Sequence, residues 1–314
     1  MCTMSNKTII QTTIGMHEVT NSDRILVHEH VFNRYPFWQQ SKMEEYLLSE
    51  LQKIHKQGIT VICDLTAYTK PYNYYKIIEK SPVKIVSCLG FYTSRYISAQ
   101  QKKQDTSTLV QSYRKVIENG IGSKKIKPGI LKIAAQSYEL SPLEKKCFSV
   151  VAQLSTEYNM RIALHAPKGT YGHVCSLISA GAKPDRIFAA HIETGITSRD
   201  EYKKRMSEAV NILALGSYIQ LADFGCTMAS KKGAAGVSFV SEIINRGYLN
   251  QLLISADSCW RWKNSEFVVK EYNHGKGKHY TYTIEYILPL LENVGNFMDL
   301  EQVLLCDNPK HFFA

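Results

Sequence analysis

Short apolar runs rich in β-branched residues alternate along this chain with longer segments of helical period. The runs fall at 24–31, 59–64, 84–90, 129–135, 161–166, 187–192, 217–221 and 251–257, each of a length suited to a strand. Amphipathic stretches at 42–57, 107–119, 143–158, 199–213 and 235–246 lie between them, two of them opened by a capping residue, Ser141 before Pro142 and Ser198. Strand then helix, repeated eight times, predicts a single α/β domain over 1–314, a (β/α)8 TIM barrel. A doubly wound open sheet is the structural alternative. It is disfavoured because no strand is followed by a GxGxxG or GxxxxGK[ST] phosphate loop.

Length and composition bound this picture without deciding it: 314 residues, 44% hydrophobic, suit either two ordinary domains or one barrel. The formal charge of +10 invites a nucleic-acid reading. The basic residues are spread, however, as in Lys124-Lys125, Lys145-Lys146, Lys203-Lys204-Arg205 and Lys231-Lys232, with no recognised nucleic-acid module. A non-enzymatic basic nucleic-acid binder is therefore the weakest of the functional classes considered, and the positive field better suits a small anionic substrate. Eight scattered cysteines without a CxxC pair favour reduced thiols. With no signal-like N-terminus and no apolar stretch long enough for a bilayer, a cytoplasmic protein without membrane partners is expected. A homodimer is compatible with all of this.

The candidate chemistry starts at Ile25-Leu26-Val27-His28-Glu29-His30-Val31. Side chains alternate along a strand, so His28 and His30 share a face and Glu29 takes the other. Two imidazoles at a strand end form half a metal site, which needs further ligands at the ends of other strands. Lys132, His165, His191 and Asp257 all interrupt apolar strands near their C-terminal ends, which converge on one mouth in a barrel. Each residue alone has an ordinary explanation, as a core histidine, a turn cap or a strand-end lysine. The coincidence on five strands does not. The other histidines, His17, His55, His173, His274, His279 and His311, are expected in loops or helices. Lys132 is the odd member, because an ammonium cannot ligate a cation; it is either a lysine outside the metal chemistry or a carbamate bridging two metals.

The order and spacing of these six residues resemble the phosphotriesterase family of the amidohydrolase superfamily, and the likeness runs from Gly15 through His28-Glu29-His30, Gly90-Phe91-Tyr92, Lys132, His165, His191 and Ser255-Ala256-Asp257 to Asn308-Pro309. The resemblance implies a (β/α)8 barrel with two divalent metal ions, commonly zinc, bridged by a hydroxide and by N6-carboxylysine at Lys132. His28, His30 and Asp257 would hold the more buried ion and His165 and His191 the more exposed one. Asp257 would be the catalytic proton acceptor for the hydroxide. Two departures stand out. Asp64-Leu65-Thr66 runs into Ala67-Tyr68-Thr69-Lys70-Pro71 where the family often has a Gly-Arg element, and Ile192-Glu193-Thr194 follows His191 where an acidic proton relay is often found, leaving Glu193 as the substitute.

Family members hydrolyse phosphotriesters, lactones and related esters. Tyr92 matches a tyrosine that lactonase members place near the metals. Lys231, Arg261, Lys276 and Tyr280 fall in loops expected to crown the barrel, where cations suit a phosphate or carboxylate distal to the scissile bond. The expected activity is thus a metal-dependent lactonase acting on a phosphorylated sugar lactone. The alternative is a phosphotriesterase or carboxylesterase acting on neutral esters, which would need an apolar pocket.

Overall fold

The computed structural model describes residues 7–32, 40–67, 71–194, 196–222, 234–258, 260–263, 266–269, 279–295 and 299–314. Strands β1 (Ile9–Thr12) and β2 (Gly15–Glu18) form an antiparallel hairpin that the hydrophobic pattern did not reveal. His17 therefore sits on a strand, not in the loop or helix expected for it. Next come β3 (Ile25–Glu29), β4 (Val61–Asp64), β5 (Lys84–Gly90), β6 (Ile130–Ala134), β7 (Arg161–His165), β8 (Ile187–Ala190), β9 (Tyr218–Leu221) and β10 (Leu252–Ile254). These eight strands follow chain order in one sheet, every pairing parallel, curled into a nearly closed barrel. The helices between them are α1 (Gln40–Lys56), α2 (Tyr75–Lys80), α3 (Ala99–Lys103), α4 (Thr106–Asn119), α5 (Pro142–Tyr158), α6 (Thr170–Ser179), α7 (Arg199–Ala214) and α8 (Ala234–Asn245). A final antiparallel ribbon, β11 (Trp260–Lys263) with β12 (Glu266–Val269), occupies part of the segment after β10 that the sequence suggested was loop.

Local chemistry explains the helix starts. Ser141 and Glu144 form a reciprocal capping box with Pro142 in the first turn of α5, and Ser198 accepts the Glu201 amide at the start of α7. Each cap answers backbone donors that the first turn leaves unpaired.

Side-chain parity divides the core into two layers. Leu26, Ile62, Ile85, Leu131, Ile162, Leu164 and Ala189 pack outward against the helices. Ile25, Val27, Val61, Cys63, Val86, Ile130, Ala163, Phe188, Ala190 and Leu253 fill the barrel interior. The closing helix Asn308–Phe313 adds Phe312 to that interior, its ring 5.4 Å from Phe188 and 5.1 Å from Tyr218. Asn308 holds this plug by donating its amide to the carbonyls of Leu249 (2.8 Å) and Leu252 (2.7 Å). The hairpin also reaches the N-terminal strand ends, Thr13 donating to the Ile85 carbonyl at 2.8 Å. The opposite, C-terminal mouth is left for chemistry.

Candidate metal centre

Three local devices aim side chains into that mouth. The first is plain alternation. With Ile130 and Ala163 inside, Lys132 and His165 follow two residues later on the same face. Lys132 is paired in register with Gly90 and Ala163, whose small side chains leave room for it, and it is 1% exposed. Gly90 is required there: at φ +150° a Cβ would stand 1.9 Å from the Lys132 carbonyl oxygen.

The second device is a bulge. Ile25 and Val27 point inward, so strict alternation would turn His28 and His30 out toward the helices. Instead the β3–β4 register shifts between Leu26 and Glu29, and the histidines face the mouth while Val31 joins the outer layer. The third is backbone strain. His191 follows the inward Ala190 and Asp257 lies beyond the end of β10, and each adopts a left-handed conformation, φ +69° and +49°. Such conformations are uncommon for residues other than glycine and collect where the surroundings enforce them.

The resulting cluster is tight. One ligand atom from each of His28, His30 and Asp257 lies within 4.8 Å of the others. Asp257 Oδ1 is 3.4 Å from His28 Nε2 and 3.1 Å from His30 Nε2, and its Oδ2 is 4.0 Å from His191 Nε2. Lys132 Nζ stands 3.4 Å from His28 Nε2. The rings of His28 and His191 are 5.3 Å apart and those of His165 and His191 4.4 Å. Among the six residues singled out from the sequence, His28, His30 and Asp257 form the tightest group, Lys132 and His191 border it, and His165 joins it through the His191 ring.

Hydrogen bonds fix which imidazole nitrogen faces the cluster. Gln220 is wholly buried on β9 and donates its amide to the Leu221 carbonyl at 2.8 Å, which turns its oxygen toward His28. His28 Nδ1 must therefore be the donor in the 2.7 Å contact with Gln220 Oε1, leaving the Nε2 lone pair for the cluster. A parallel relay holds His30. Thr66 Oγ1 donates to Asp64 Oδ1 at 2.9 Å and so accepts from His30 Nδ1 at 2.9 Å. Asp64 also accepts the amides of Val31 (2.6 Å) and Phe32 (3.0 Å). Hydrogen-bonded imidazoles of this kind are what metal sites use to set tautomer and orientation.

Electrostatics favour neutral donors. Burial, followed by the Lys132 charge, holds His28 well below the ordinary imidazole range. Burial also pulls the Lys132 amine down to about 8. Four imidazoles, one carboxylate and a lysine whose proton is loosened by burial form a donor set suited to divalent first-row cations.

The chain belongs to the phosphotriesterase family. The family's sequence pattern matches residues 8–313, and the family is one of binuclear metal enzymes. The chain is 21% identical over 299 residues to the phosphotriesterase homology protein of Escherichia coli strain K12, covering 92% of this chain and 97% of that one. It is 18% identical to the N-acetyltaurine hydrolase of Homo sapiens, covering 100% of this chain and 99% of that one. The crystal structure of the E. coli homology protein, complexed with phosphate in its active site, superposes with a TM-score of 0.76 at 19% identity, covering 94% of this chain and 100% of that one. A structure from the engineering of organophosphate hydrolysis activity from a weak promiscuous lactonase template reaches 0.81 at 21% identity, covering 98% of this chain and 100% of that one. At these identities the superpositions establish the fold. Membership in this phosphotriesterase family makes the protein a hydrolase of ester or amide bonds.

The remaining sequence-derived residues are placed less uniformly. Tyr92 is half-buried, its ring 5.2 Å from His165 and 5.4 Å from Tyr96. It lines a cavity of about 470 Å3 whose other walls include Tyr96, Ser98, Gln100, Gln101 and Ser112, with no ionised side chain among the described lining residues. Tyr280, expected to contact substrate, is instead fully buried and donates its hydroxyl to the His30 carbonyl at 3.0 Å, so it stands behind His30. Glu193 is buried and accepts the Ala222 amide at 2.7 Å, tying the turn after β8 to the end of β9. Arg261 lies on β11, and Lys231 and Lys276 fall outside the described residues. Gln220, Thr66 and Asp64 were missed by sequence reasoning. A polar residue inside the apolar run 217–221 was the available signal for Gln220, and the Asp64-Leu65-Thr66 segment had been noticed only as a departure from the family pattern.

Proposed function

We propose that this phosphotriesterase-family hydrolase opens a phosphorylated sugar lactone, using two divalent cations, zinc as first choice. The observation that carries the metal reading is the convergence of four imidazoles, Lys132 and Asp257, with both Nδ1 atoms of the HxH pair already engaged elsewhere. His28, His30 and Asp257 would hold one cation, and His165 and His191 the other. Lys132 would serve both as its carbamate: a neutral amine adds CO2 and releases one proton, and burial favours the neutral amine that this addition needs. Bound cations supply Lewis acidity toward a carbonyl oxygen and make water acidic enough to attack at neutral pH.

The chain's own residues do the rest. Asp257, at the centre of the cluster, accepts the proton of the attacking water on a carboxylate oxygen. Its left-handed backbone and its short contacts to His28 and His30 keep that oxygen in place. Tyr92, packed on His165, orients the lactone ring, and the neutral polar cavity beside it suits sugar hydroxyls. Lys231, Arg261 and Lys276 are the proposed holders of the phosphate; Tyr280, expected with them from the sequence, is buried against the His30 carbonyl and supports His30 instead of touching substrate. The net charge of +10 supports an anionic substrate. So does the phosphate bound in the active site of the E. coli homology protein.

A second reading, amide hydrolysis, is favoured by the name N-acetyltaurine hydrolase among the relatives. It keeps the same carbonyl chemistry and a distal anion but changes the leaving group. Turnover of matched panels of phosphorylated lactones, unphosphorylated lactones and N-acylated amino sulfonates decides between them. The expected result is faster hydrolysis of phosphorylated lactones. Preference for unphosphorylated lactones overturns the substrate class, and preference for the amides installs the second reading.

A further inference from the structure

The barrel sheet has a seam. Its ladder runs unbroken from β3 to β10, but no ladder joins those two edge strands among the described residues. At the mouth, where the ligands sit, the seam is spanned by other bonds. The Asp257 amide donates to the His28 carbonyl at 3.1 Å and the His28 amide donates to Ser255 Oγ at 3.1 Å. The Glu29 carboxylate receives three more. Oε1 accepts from Ser255 Oγ and from the Ala256 amide, each at 2.7 Å, and Oε2 accepts from the Ser258 amide at 2.7 Å.

Glu29 is wholly buried. Once the bulge turns His28 and His30 into the mouth, the residue between them is turned aside toward the seam. Its two oxygens then grip the backbone on both sides of Asp257, at Ala256 and Ser258. A carboxyl group held by three donors is stiff, because each bond is short and shielded from water.

We infer that Glu29 is a positioning residue for the metal centre: it holds Asp257 in its left-handed conformation and fixes the gap between Asp257 and the two histidines that flank Glu29. The inference rests on the metal reading above but assigns a role that the ligand set does not contain. Removing the ligand cluster's own atoms is not needed to expose it. Glu29→Gln keeps the size of the side chain and replaces one acceptor by an NH2 group. In either amide orientation, one backbone N–H of the Asp257 turn then faces a donor. Glu29→Asp keeps both acceptors but draws them back by about 1.5 Å, one carbon–carbon bond.

The test is titration of metal-stripped full-length protein with Co2+, followed by calorimetry and by the visible absorption of the bound ion, with thermal unfolding of each metal-free form alongside. Ser155→Ala serves as the structural control. Ser155 is equally buried, but its hydroxyl donates to the Met160 carbonyl at the far end of α5. Glu29→Gln should weaken Co2+ binding about tenfold or more, the range seen when groups behind a ligand are lost. It should also change the Co2+ spectrum, and Glu29→Asp should recover part of the affinity. Ser155→Ala should lower thermal stability and leave affinity and spectrum as in the wild type. Folded Glu29→Gln with affinity within a factor of two of wild type overturns the inference, as does an equal loss in Ser155→Ala. If Glu29→Gln does not fold, the same criterion applied to Glu29→Asp decides. Failure of the wild type itself to bind Co2+ overturns the metal reading, a result distinct from an unaffected variant.

Discussion

Replacing Gln220 by Leu tests whether the orientation of His28 is built by a residue that never touches a metal. The two side chains are similar in size, and Gln220 is completely buried, so the change removes polar atoms with little change in packing. It deletes the 2.7 Å acceptor of His28 Nδ1 and the 2.8 Å donor to the Leu221 carbonyl. Two buried groups lose a partner, each at a cost of about 1–3 kcal/mol, so metal-free stability should fall by roughly 2–6 kcal/mol. The effect on the site is separate. Without an acceptor at Nδ1, the imidazole no longer prefers the tautomer that leaves Nε2 bare, and its ring can rotate. Loss of such a contact weakens metal binding by about 10–100-fold, equivalent to roughly 1.4–2.8 kcal/mol. Denaturant unfolding of the metal-free protein reads the first quantity, and competition with a chelator reads the second. Gln220→Glu restores an acceptor and should recover most of the affinity. If Gln220→Leu unfolds as expected yet binds cation within a factor of two of wild type, the tautomer argument is wrong.

Two further outcomes follow from the packing. Gly90→Ala places a Cβ 1.9 Å from the Lys132 carbonyl at a φ that only glycine adopts freely, and the contact is backbone, so no rotamer relieves it. The variant should lose at least about 3 kcal/mol by urea unfolding, and a loss under about 1 kcal/mol would refute the close approach. Glu50, on α1, is buried beneath His279; burial alone would raise its pKa, but hydrogen bonds from His279 (2.8 Å) and Lys53 (2.6 Å) hold it below the usual 4.5. Its folded pKa being depressed, Glu50 contributes stability that is fully present above 4.5 and is lost as pH falls through the folded value. Glu50→Gln should therefore flatten the acid limb of the stability–pH curve below 4.5, and an unchanged acid limb would show that another carboxylate sets it.

How much of this was readable from the sequence differs from residue to residue, for physical reasons. Lys132 and His165 were legible because they obey alternation: the apolar residues two positions before them mark the inward face, and nothing interrupts the count. The eight barrel strands were legible for the same reason, as apolar runs separated by helical periods. His28 and His30 were singled out from their HxH spacing, yet alternation counted from Ile25 and Val27 would turn them away from the mouth. Only the register shift between Leu26 and Glu29 brings them in, and a bulge is a property of two strands paired in space. His191 and Asp257 depend on left-handed backbone, which neither residue type demands; the surroundings impose it, and for Asp257 those surroundings come from Glu29, more than two hundred residues away in the chain. The hairpin β1–β2 escaped because its two strands are four residues long and mix exposed with buried positions, too few and too irregular to show a period, and the strands of β11–β12 are as short. Gln220 and Thr66 escaped because support is a relation between residues: a glutamine inside an apolar strand signals a buried partner, and only the fold says that the partner is His28. A sequence can therefore nominate ligands by type and order, whereas the groups that make them ligands are distributed over strands that meet only after the barrel has closed.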